Sequence, residues 1–339
     1  MAVLVTGGLG FIGSHTCVEL LENGYEVVVI DNLYNSKISV IDSIKDITGK
    51  DIKFYKANVC DEQELDLIFN ENVIDSVIHF AGFKAVGESV VRPLDYYTNN
   101  ILSTLNLCRM MLKHNVNKLV FSSTSTIYGE TNIPPFTEDM PYGEATNPYT
   151  ETKIIIEHIL KDVHNANKNF SVALLRYFNP VGAHESGLIG EDPIGIPNNL
   201  FPYISRVAIG KLEKLTVFGN DYDTPDGTGI RDYIHVMDLA RAHVLAIKHL
   251  DNMPDVYVYN IGTGKGSTVL EVVKSFEKAC GMSIPYVIGE RRPGDVAALF
   301  ADTSKAKNEL GFETKYDLDK MCEDGWNFIT KHMDSRDGI

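Results

Sequence analysis

The sequence lacks the features that mark several classes of protein. None of its apolar runs approaches the length of a membrane span, and the first residues, MAVLVTGG, contain neither a basic segment nor a signal cleavage site. Its five cysteines are odd in number, widely spaced and without a CxxC pair, at positions 17, 60, 108, 280 and 322. Such cysteines are typical of reduced thiols in a reducing compartment. We therefore expect a cytoplasmic protein.

Positive charge is also scarce. The 339 residues include 31 Lys and Arg against 46 Asp and Glu, a formal net charge of −15. This balance disfavours nucleic acid or an anionic membrane surface as the main partner. An anionic substrate would have to be bound by a few local arginines. His235, His243 and His249 match no familiar metal-ligand spacing, so we expect them to be structural and predict no metal site.

Short β-branched runs alternate with helical segments in the first half of the chain. The predicted strands are AVLVT, YEVVVID, IKFYKA, IDSVIHF, NKLVFSS and FSVALLRYF. This alternation predicts an α/β fold, a doubly wound parallel (Rossmann) sheet covered by helices on both faces. After Phe178 comes the Gly- and Pro-rich segment NPVGAHESGLIGEDPIGIPNN, which is typical of a functional loop. We predict an NAD-binding domain over 1–178, a smaller α/β substrate domain over 179–339, and a site between them.

A glycine pattern indicates the cofactor. In VLVTGGLGFIGSHTCVELL, Gly7, Gly10 and Gly13 lie between a predicted strand and a predicted helix, as the dinucleotide-binding turn requires. Asp31 closes the second strand, where a carboxylate can accept both ribose hydroxyls and would repel a 2′-phosphate, although a turn or cap role is the alternative. The pattern favours NAD over NADP. HFAG (79–82) and Lys84 should follow the fourth strand at the same edge.

A second glycine cluster, GTGKGST (262–268), differs from a phosphate-binding P-loop. In a P-loop the lysine follows the last glycine, whereas Lys265 precedes Gly266. We predict a turn that opens a helix from Val269.

A tyrosine and a lysine indicate the chemistry. NPYTETK places Tyr149 four residues before Lys153 at the start of a predicted helix, so both side chains share one face. A phenolate base at neutral pH needs a tyrosine pKa lowered by roughly 3 units, and one nearby cation lowers the pKa of an acid by about 1–3 units. Lys153 alone is therefore borderline, and the positive nicotinamide ring would supply the remainder. Tyr316 and Lys320 repeat the spacing, and we expect them on an exposed face of a late helix.

Hydroxyl side chains should lie beside this pair. FSSTSTIYG (121–129) places a run of them at the end of the fifth predicted strand. One hydroxyl of residues 122–126 would polarise the oxygen from which Tyr149 takes a proton.

With the glycine turn, the strand-end hydroxyls and YxxxK in this order, the chain resembles the extended short-chain dehydrogenase/reductase family. Within it, residues 3–326 resemble the branch that epimerises UDP-hexoses at C4. The resemblance rests on DNLYNS, HFAGFKAVGESV, LLRYFNPVGAH, GEDPIGIPNNL, FGNDYDTPDGTGIRDYIHVMDLA and RRPGD. It implies an NAD-dependent isomerase that interconverts UDP-galactose and UDP-glucose through a transient 4-keto sugar, with NAD bound and recycled.

The resemblance also implies which residues form the site. The catalytic residues would be Tyr149, Lys153 and Thr124. The cofactor residues would be Gly7, Gly10, Phe11, Ile12, Gly13, Asp31, Asn32, Asn35, Ser36, Asn58, Val59, Phe80, Ala81, Gly82, Lys84, Asn99, Tyr149, Lys153 and Phe178. The UDP-sugar residues would be Thr124, Tyr149, Asn179, Asn199, Leu200, Thr216, Phe218, Arg231, Tyr233, Arg292, Asp295 and Leu299. A homodimer formed by helices near 95–114 and 149–166 is implied in the same way.

The chemistry of the two arginines agrees independently with this assignment. A diphosphate needs forked cationic donors, which Arg231 and Arg292 can supply. An ordinary surface ion pair is the alternative for each.

Two positions depart from the pattern of that branch. Thr124 stands where serine is usual, which keeps the hydroxyl and adds a methyl group. Leu299 stands where the branch has either a bulky tyrosine, which excludes N-acetylated sugars, or a smaller residue that admits them. Leucine is intermediate, so we expect some turnover of UDP-N-acetylglucosamine.

Two other functions compete with epimerisation. A 4,6-dehydratase of the same fold typically carries an acid–base pair in STDEVYG, whereas this chain reads STSTIYG, with Ser125 and Thr126 in place of the carboxylates. A non-catalytic NAD-sensing regulator would need neither the Tyr149–Lys153 pair nor the arginines.

Overall fold

The computed structural model describes residues 1–193, 197, 199–292 and 295–332. Strands and helices alternate in the first half of the chain. The strands are β1 Ala2–Thr6, β2 Glu26–Asp31, β3 Lys53–Lys56, β4 Ile74–His79, β5 Lys118–Thr124 and β6 Ser171–Tyr177. The helices are α1 Phe11–Glu22, α2 Val40–Thr48, α3 Glu62–Glu71, α4 Val86–Val91, α5 Pro93–Lys113 and α6 Pro148–Ala166. All six strands predicted from apolar runs are present.

The second half has shorter elements. Its strands are β7 Asn179–Val181, β8 Leu215–Phe218, β9 Ile230–Arg231, β10 Tyr233–His235, β11 Val256–Ile261, β12 Ser267–Thr268, β13 Tyr286–Gly289 and β14 Ala298–Leu299. Its helices are α7 Leu200–Ala208, α8 Val236–His249, α9 Val269–Cys280, α10 Ser304–Leu310 and α11 Leu318–Lys331. None of the helices in the described ranges is long and apolar enough to cross a membrane.

The central sheet has seven strands in the order β11-β6-β5-β4-β1-β2-β3. Every neighbouring pair is parallel. The order reverses direction between β1 and β4, so the carboxyl ends of these two strands open a crevice in which such sheets bind nucleotides. The predicted α/β fold with a doubly wound parallel sheet is confirmed.

The seventh strand comes from beyond the boundary that the sequence predicts at residue 178. β11 pairs in parallel with β6, and the helix before it, α8, packs on α1. The segment 236–261 therefore belongs structurally with residues 1–178. The predicted domain boundary at residue 178 does not account for this segment.

Alternating side chains fill both faces of the sheet. Val3 and Val5 point to one face, where they pack with residues of α1, α2 and α8. Leu4 points to the other face, towards α3, α5 and α6. Strands buried on both faces read as continuous apolar runs, which is why the sequence predicted them well.

The rest of the second half forms its own apolar cluster. Residues of α7, α9 and α11 meet there, with Phe201, Phe276 and Cys322 among those buried. The GTGKGST segment ends in a capping box, in which Thr268 and Glu271 bond to each other's backbone N–H, and α9 begins directly after it. The prediction of a turn that opens this helix is confirmed.

Candidate active site

The glycine turn between β1 and α1 leaves no space for side chains. Gly7 has a φ of +68°, and a Cβ there would lie 2.9 Å from the backbone nitrogen of Ala81. A Cβ on Gly13 would lie 2.3 Å from the carbonyl oxygen of Gly7. Because Gly7 and Gly13 have no side chains, the turn lies close to the residues that follow β4, and the N-terminus of α1 is open towards the crevice. This cradle fits the pyrophosphate of a dinucleotide.

Asp31 ends β2 and is 7% exposed. Its Oδ1 accepts hydrogen bonds from Leu33 N at 2.9 Å and Ser36 Oγ at 2.7 Å, and its Oδ2 accepts one from Leu9 N at 3.1 Å. A carboxylate oxygen has two lone pairs, so Oδ2 retains capacity for a ribose hydroxyl. The turn role considered from the sequence is therefore present, and Asp31 remains able to accept from a ligand, so its role in binding the ribose stays a prediction.

The other predicted cofactor residues lie mostly at the carboxyl edge of the sheet or on helices beside it. Residues that follow β2, β3, β4 and β6 are Asn32, Asn35, Ser36, Asn58, Val59, Phe80, Ala81, Gly82, Lys84 and Phe178. Phe11 and Ile12 begin α1, and Asn99 lies in α5. Lys84 forms an ion pair with Glu191, with Nζ and Oε1 3.2 Å apart.

Tyr149 and Lys153 lie in the first turns of α6. Asn147 caps this helix by accepting a hydrogen bond from Thr150 N at 2.9 Å, and Pro148 occupies its first position. Lys153 is buried, and its Nζ donates to the carbonyl oxygen of Ser122 at 2.6 Å. The same Nζ lies 5.9 Å from the ring centroid of Tyr149.

Burial shifts the pKa of both groups towards the neutral form. It raises the pKa of the half-buried Tyr149 phenol, and the nearby Thr124 hydroxyl opposes that rise. It lowers the pKa of the Lys153 ammonium to about 8, while the negative charge of Glu157 opposes that fall. Lys153 alone therefore does not lower the pKa of Tyr149, in agreement with the need for a second cation.

Thr124 is the last residue of β5 and is 8% exposed. Its Oγ1 accepts a hydrogen bond from Thr126 N at 3.2 Å, so the same hydroxyl caps the short 3₁₀ turn over residues 125–128. Thr126 in turn accepts from the Thr150 hydroxyl at 3.0 Å, which ties the turn to α6. The structure thus brings Thr124, Tyr149 and Lys153 together, as the sequence predicted.

The predicted UDP-sugar residues come from several elements of the second half. Asn179 is in β7, Thr216 and Phe218 are in β8, Tyr233 is in β10, and Asn199 and Leu200 stand at the start of α7. Arg231 in β9 pairs with Asp295, with Nη2 and Oδ1 2.8 Å apart. The Arg292 guanidinium lies 4.0 Å above the ring centroid of Phe218.

Leu299 lies in a strand next to one of these arginines. β14 is paired with β9, and the register places Leu299 opposite Arg231. The side chain is half-buried and packs on the cluster of Phe136, Phe178 and Ala301.

The sequence analysis did not identify four residues that are candidates for a functional role. Glu191 accepts from Lys84 and also from Asn199 Nδ2 at 3.1 Å, so it links a predicted cofactor residue to a predicted substrate residue. The buried Asp232 binds the backbone N–H groups of residues 263, 264 and 301, between the strands of Arg231 and Leu299. Glu157 and Arg176 form a buried ion pair. Only Glu157 had a sequence signal, since Tyr149, Lys153 and Glu157 follow one another at helical spacing.

Parts of the sequence motifs lie outside the described residues. GEDPIGIPNNL includes residues 194–196 and 198, and RRPGD includes residues 293 and 294. Among the described residues, no group of His, Cys, Asp and Glu side chains is arranged to hold a metal ion. His235 is hydrogen-bonded to Asp324, and His243 to the Tyr177 hydroxyl.

Comparisons with known proteins agree with this geometry. The model of a family described as GDP-mannose 4,6 dehydratase matches residues 4–325. A UDP-glucose 4-epimerase of Bacillus subtilis is 58% identical over 98% of each chain. The crystal structure of UDP-glucose 4-epimerase from Bifidobacterium longum in complex with NAD⁺ and UDP is 54% identical, with a TM-score of 0.94 over 98% of this chain and 99% of that one.

A third relative is named for two sugars. The UDP-Glc/GlcNAc 4-epimerase of Campylobacter jejuni is 36% identical, with a TM-score of 0.86 over 97% of this chain and 99% of that one. Identity of this extent, together with the glycine turn and the Tyr149–Lys153 pair, decides the family. The chain belongs to the UDP-glucose 4-epimerases of the extended short-chain dehydrogenase/reductase family.

Proposed function

We propose that this chain interconverts UDP-galactose and UDP-glucose by epimerisation at C4, with NAD as a tightly bound cofactor. The observation that carries the proposal is the placement of Tyr149 and the buried Lys153 in the first turns of α6, next to the Thr124 hydroxyl, at the sheet edge that holds the glycine turn. Relatives that are more than half identical over nearly the whole chain are named UDP-glucose 4-epimerases, and one of them was crystallised with NAD⁺ and UDP.

The residues of the crevice fit NAD rather than NADP. The cradle at Gly7 and Gly13 admits a pyrophosphate, and the free capacity of Asp31 Oδ2 suits a ribose hydroxyl, while its charge would repel a 2′-phosphate. When bound, NAD supplies the reversible oxidation and reduction at C4 that pass through a 4-keto sugar.

Tyr149 acts as the general base at the sugar. Its Oη takes the proton of the 4-hydroxyl and later returns a proton to the same oxygen. The Thr124 hydroxyl, at the end of β5 beside the phenol, donates to that oxygen and fixes its position. Lys153 holds a positive charge near both groups when protonated, which stabilises the phenolate.

The arginines of the second half hold the diphosphate. Arg231 keeps its guanidinium oriented by bonds to Asp295 and to the carbonyl oxygen of Val296 at 3.0 Å. Arg292 rests on Phe218 and can turn from this ring to a phosphate. Asn179, Asn199, Leu200, Thr216, Phe218, Tyr233, Asp295 and Leu299 complete the proposed substrate site. The ordinary ion pair considered as the alternative for Arg231 is present, and in this proposal it orients the guanidinium for the diphosphate.

Elimination chemistry lacks its acid in this chain. A 4,6-dehydratase, the activity after which the matched family model is described, would need carboxylates where Ser125 and Thr126 stand. In the structure both residues belong to the 3₁₀ turn over 125–128, and Thr126 is fixed by bonds to Thr124 and Thr150. Neither side chain can protonate a leaving hydroxyl at neutral pH.

Two further features are proposed with the activity. The protein forms a homodimer through α5 and α6, which pack against each other and lie beside apolar side chains at Val91 and Leu94 that are 75% and 78% exposed. It acts in the cytoplasm, where its five unpaired cysteines remain reduced. Light scattering of the purified protein gives the oligomeric state directly.

The test is an assay of UDP-galactose conversion without added NAD. The wild type should be active because NAD is retained through purification. Tyr149→Phe should lose at least about 1000-fold in kcat while its NAD content stays unchanged. Tyr316→Phe is the matched control, since it removes a tyrosine hydroxyl that lies outside the site. Undiminished epimerisation in Tyr149→Phe would remove this residue from the mechanism.

A further inference from the structure

Glu157 lies one turn after Lys153 on α6 and is completely buried. Its Oε1 accepts a hydrogen bond from Ser123 Oγ at 2.5 Å and one from Arg176 Nε at 3.2 Å. Its Oε2 accepts from Arg176 Nη2 at 2.8 Å and from the Tyr142 hydroxyl at 2.8 Å. One carboxylate thus joins α6, the ends of β5 and β6, and the loop before α6.

Ser123 connects this carboxylate to the active site. It stands in β5 between Ser122, whose carbonyl oxygen accepts from Lys153, and Thr124, whose hydroxyl caps the turn over residues 125–128. Successive side chains of a strand point to opposite faces, so Ser123 reaches Glu157 from the side of the strand away from Thr124. Any shift of Ser123 therefore moves both of its neighbours.

We propose that Glu157 is a positioning residue, which through Ser123 fixes the end of β5 so that Thr124 and the Ser122 carbonyl keep their places relative to Tyr149 and Lys153. The inference rests on the proposed epimerase function. Glu157 is completely buried, so this role is exerted through Ser123 and not by contact with the substrate or the cofactor.

Stability alone does not account for this arrangement. A buried ion pair is often no more stabilising than apolar residues of similar volume, because desolvation offsets the attraction. Arg176 would hold α6 to β6 by its two bonds to Glu157 without any link to β5. It makes further bonds to the Tyr128 hydroxyl at 3.0 Å and to the Glu138 carbonyl at 3.1 Å. The bond to Ser123 is the connection that reaches the hydroxyl run.

Two hydroxyl groups donate hydrogen bonds to the Glu157 carboxylate, and removing each of them gives a matched pair of variants. Ser123→Ala removes the link to β5, and Tyr142→Phe removes a similar bond from the other oxygen, together with the bond that Lys161 donates to this hydroxyl, without touching that strand. Replacing Glu157 itself is less informative, because it would leave the guanidinium of Arg176 buried without its counter-ion. Ser123→Cys is a third variant, since a thiol is a weak donor of similar size.

The experiment measures kcat, KM for UDP-galactose, NAD content and thermal midpoint for all three variants. We expect kcat to fall by about tenfold in Ser123→Ala, with KM within about twofold, because a small displacement of reacting groups slows the chemical step. Ser123→Cys should lie between this variant and the wild type. Tyr142→Phe should keep kcat within about twofold of the wild type, although its thermal midpoint should fall as much as that of Ser123→Ala.

The possible failures separate the two proposals. Equal kcat losses in Ser123→Ala and Tyr142→Phe, or no loss in either, would overturn the positioning role and leave the epimerase assignment intact. A change of KM alone in Ser123→Ala would also overturn it. A wild type without epimerase activity would overturn the proposed function, and the inference with it.

Discussion

Burial acts against the charge of both central residues of the site. It raises the pKa of Tyr149, which keeps the phenol neutral, and it lowers that of Lys153 to about 8, so the ammonium is still mostly charged at pH 7 but loses its proton more easily than an ordinary lysine. The sequence predicted that Lys153 alone is borderline for lowering the pKa of the tyrosine. The structure places the ammonium 5.9 Å from the ring centroid and directs it at the Ser122 carbonyl. The active ionisation state therefore depends on charge that arrives with the ligands.

The lowered pKa of Lys153 predicts an alkaline limit of activity. Since the charged ammonium is needed, kcat/KM should fall as pH rises above about 8, well below the ordinary pKa of a lysine. A profile from pH 6 to 10 measures this. Lys153→Arg, whose guanidinium stays charged, should lose rate but no longer show the alkaline decline. A wild-type profile that stays flat to pH 10 would contradict the prediction.

The size of residue 299 predicts the range of sugars. Leu299 is half-buried opposite Arg231, in the proposed substrate site. Leu299→Ala should raise the ratio of kcat/KM for UDP-N-acetylglucosamine over UDP-glucose by about tenfold, and Leu299→Tyr should lower it by a similar factor. Assays of both sugars side by side give the ratio. Leu67→Ala, at an exposed position on α3, is the control. No N-acetyl turnover in the wild type would contradict the expected breadth.

At the scale of elements, the turn before α1 depends on the absence of a side chain. Gly13→Ala would place a Cβ 2.3 Å from the Gly7 carbonyl oxygen, so the turn must open. We expect the purified variant to retain less than about a tenth of the wild-type NAD, because phosphate binding needs the close approach. Gly87→Ala in α4 is the matched control, since its Cβ would meet no atom within 4 Å. NAD content by absorbance and by enzymatic assay decides the matter, and equal content in both variants would contradict the prediction.

Helical spacing alone did not distinguish the two tyrosine–lysine pairs. The prediction of one exposed helix face for Tyr316 and Lys320 was wrong for the tyrosine. α11 begins at Leu318 after the cap Asp317, and Tyr316 packs on the His235 ring, with centroids 4.4 Å apart. Lys320 pairs with Asp324 within the helix. An N-cap residue between the two members of a pair is a signal that sequence analysis can use.

Buried strands and capped helices were predictable because their signals are local. Apolar runs predicted the first six strands, and YxxxK predicted that Tyr149 and Lys153 lie together in the first turns of α6. The links made by Glu191 and Asp232 were not predictable, because each joins segments far apart in the chain. The same holds for β11. Nothing local showed that residues 256–261 pair with β6, because the two strands are far apart in the chain.

At the scale of the whole molecule, three buried histidines predict acid sensitivity. Burial lowers the pKa of His15 and His79 to about 3 and that of His243 to about 4, so all three are neutral when folded. In the unfolded chain they bind protons below about pH 6.5, so the unfolded state gains protons and stability falls as pH decreases. The three together should cost about 3 kcal/mol of unfolding free energy between pH 6.5 and 5.5.

Urea unfolding at several pH values measures this loss. His15→Leu, which removes one of the three groups, should reduce the histidine contribution to the pH dependence by about a third. An unchanged dependence in this variant would show that His15 does not contribute.

The position of β11 has a consequence for synthesis of the chain. β6 forms the border of the sheet until residues 256–261 have been made, about 80 residues later. At about 5–20 residues per second, a ribosome needs on the order of 4–16 s to add them. For that interval the nascent protein presents an open apolar strand edge, the kind of surface that pairs with other chains. The protein is therefore most prone to pairing with other chains during its translation, before the last strand of its central sheet has been made.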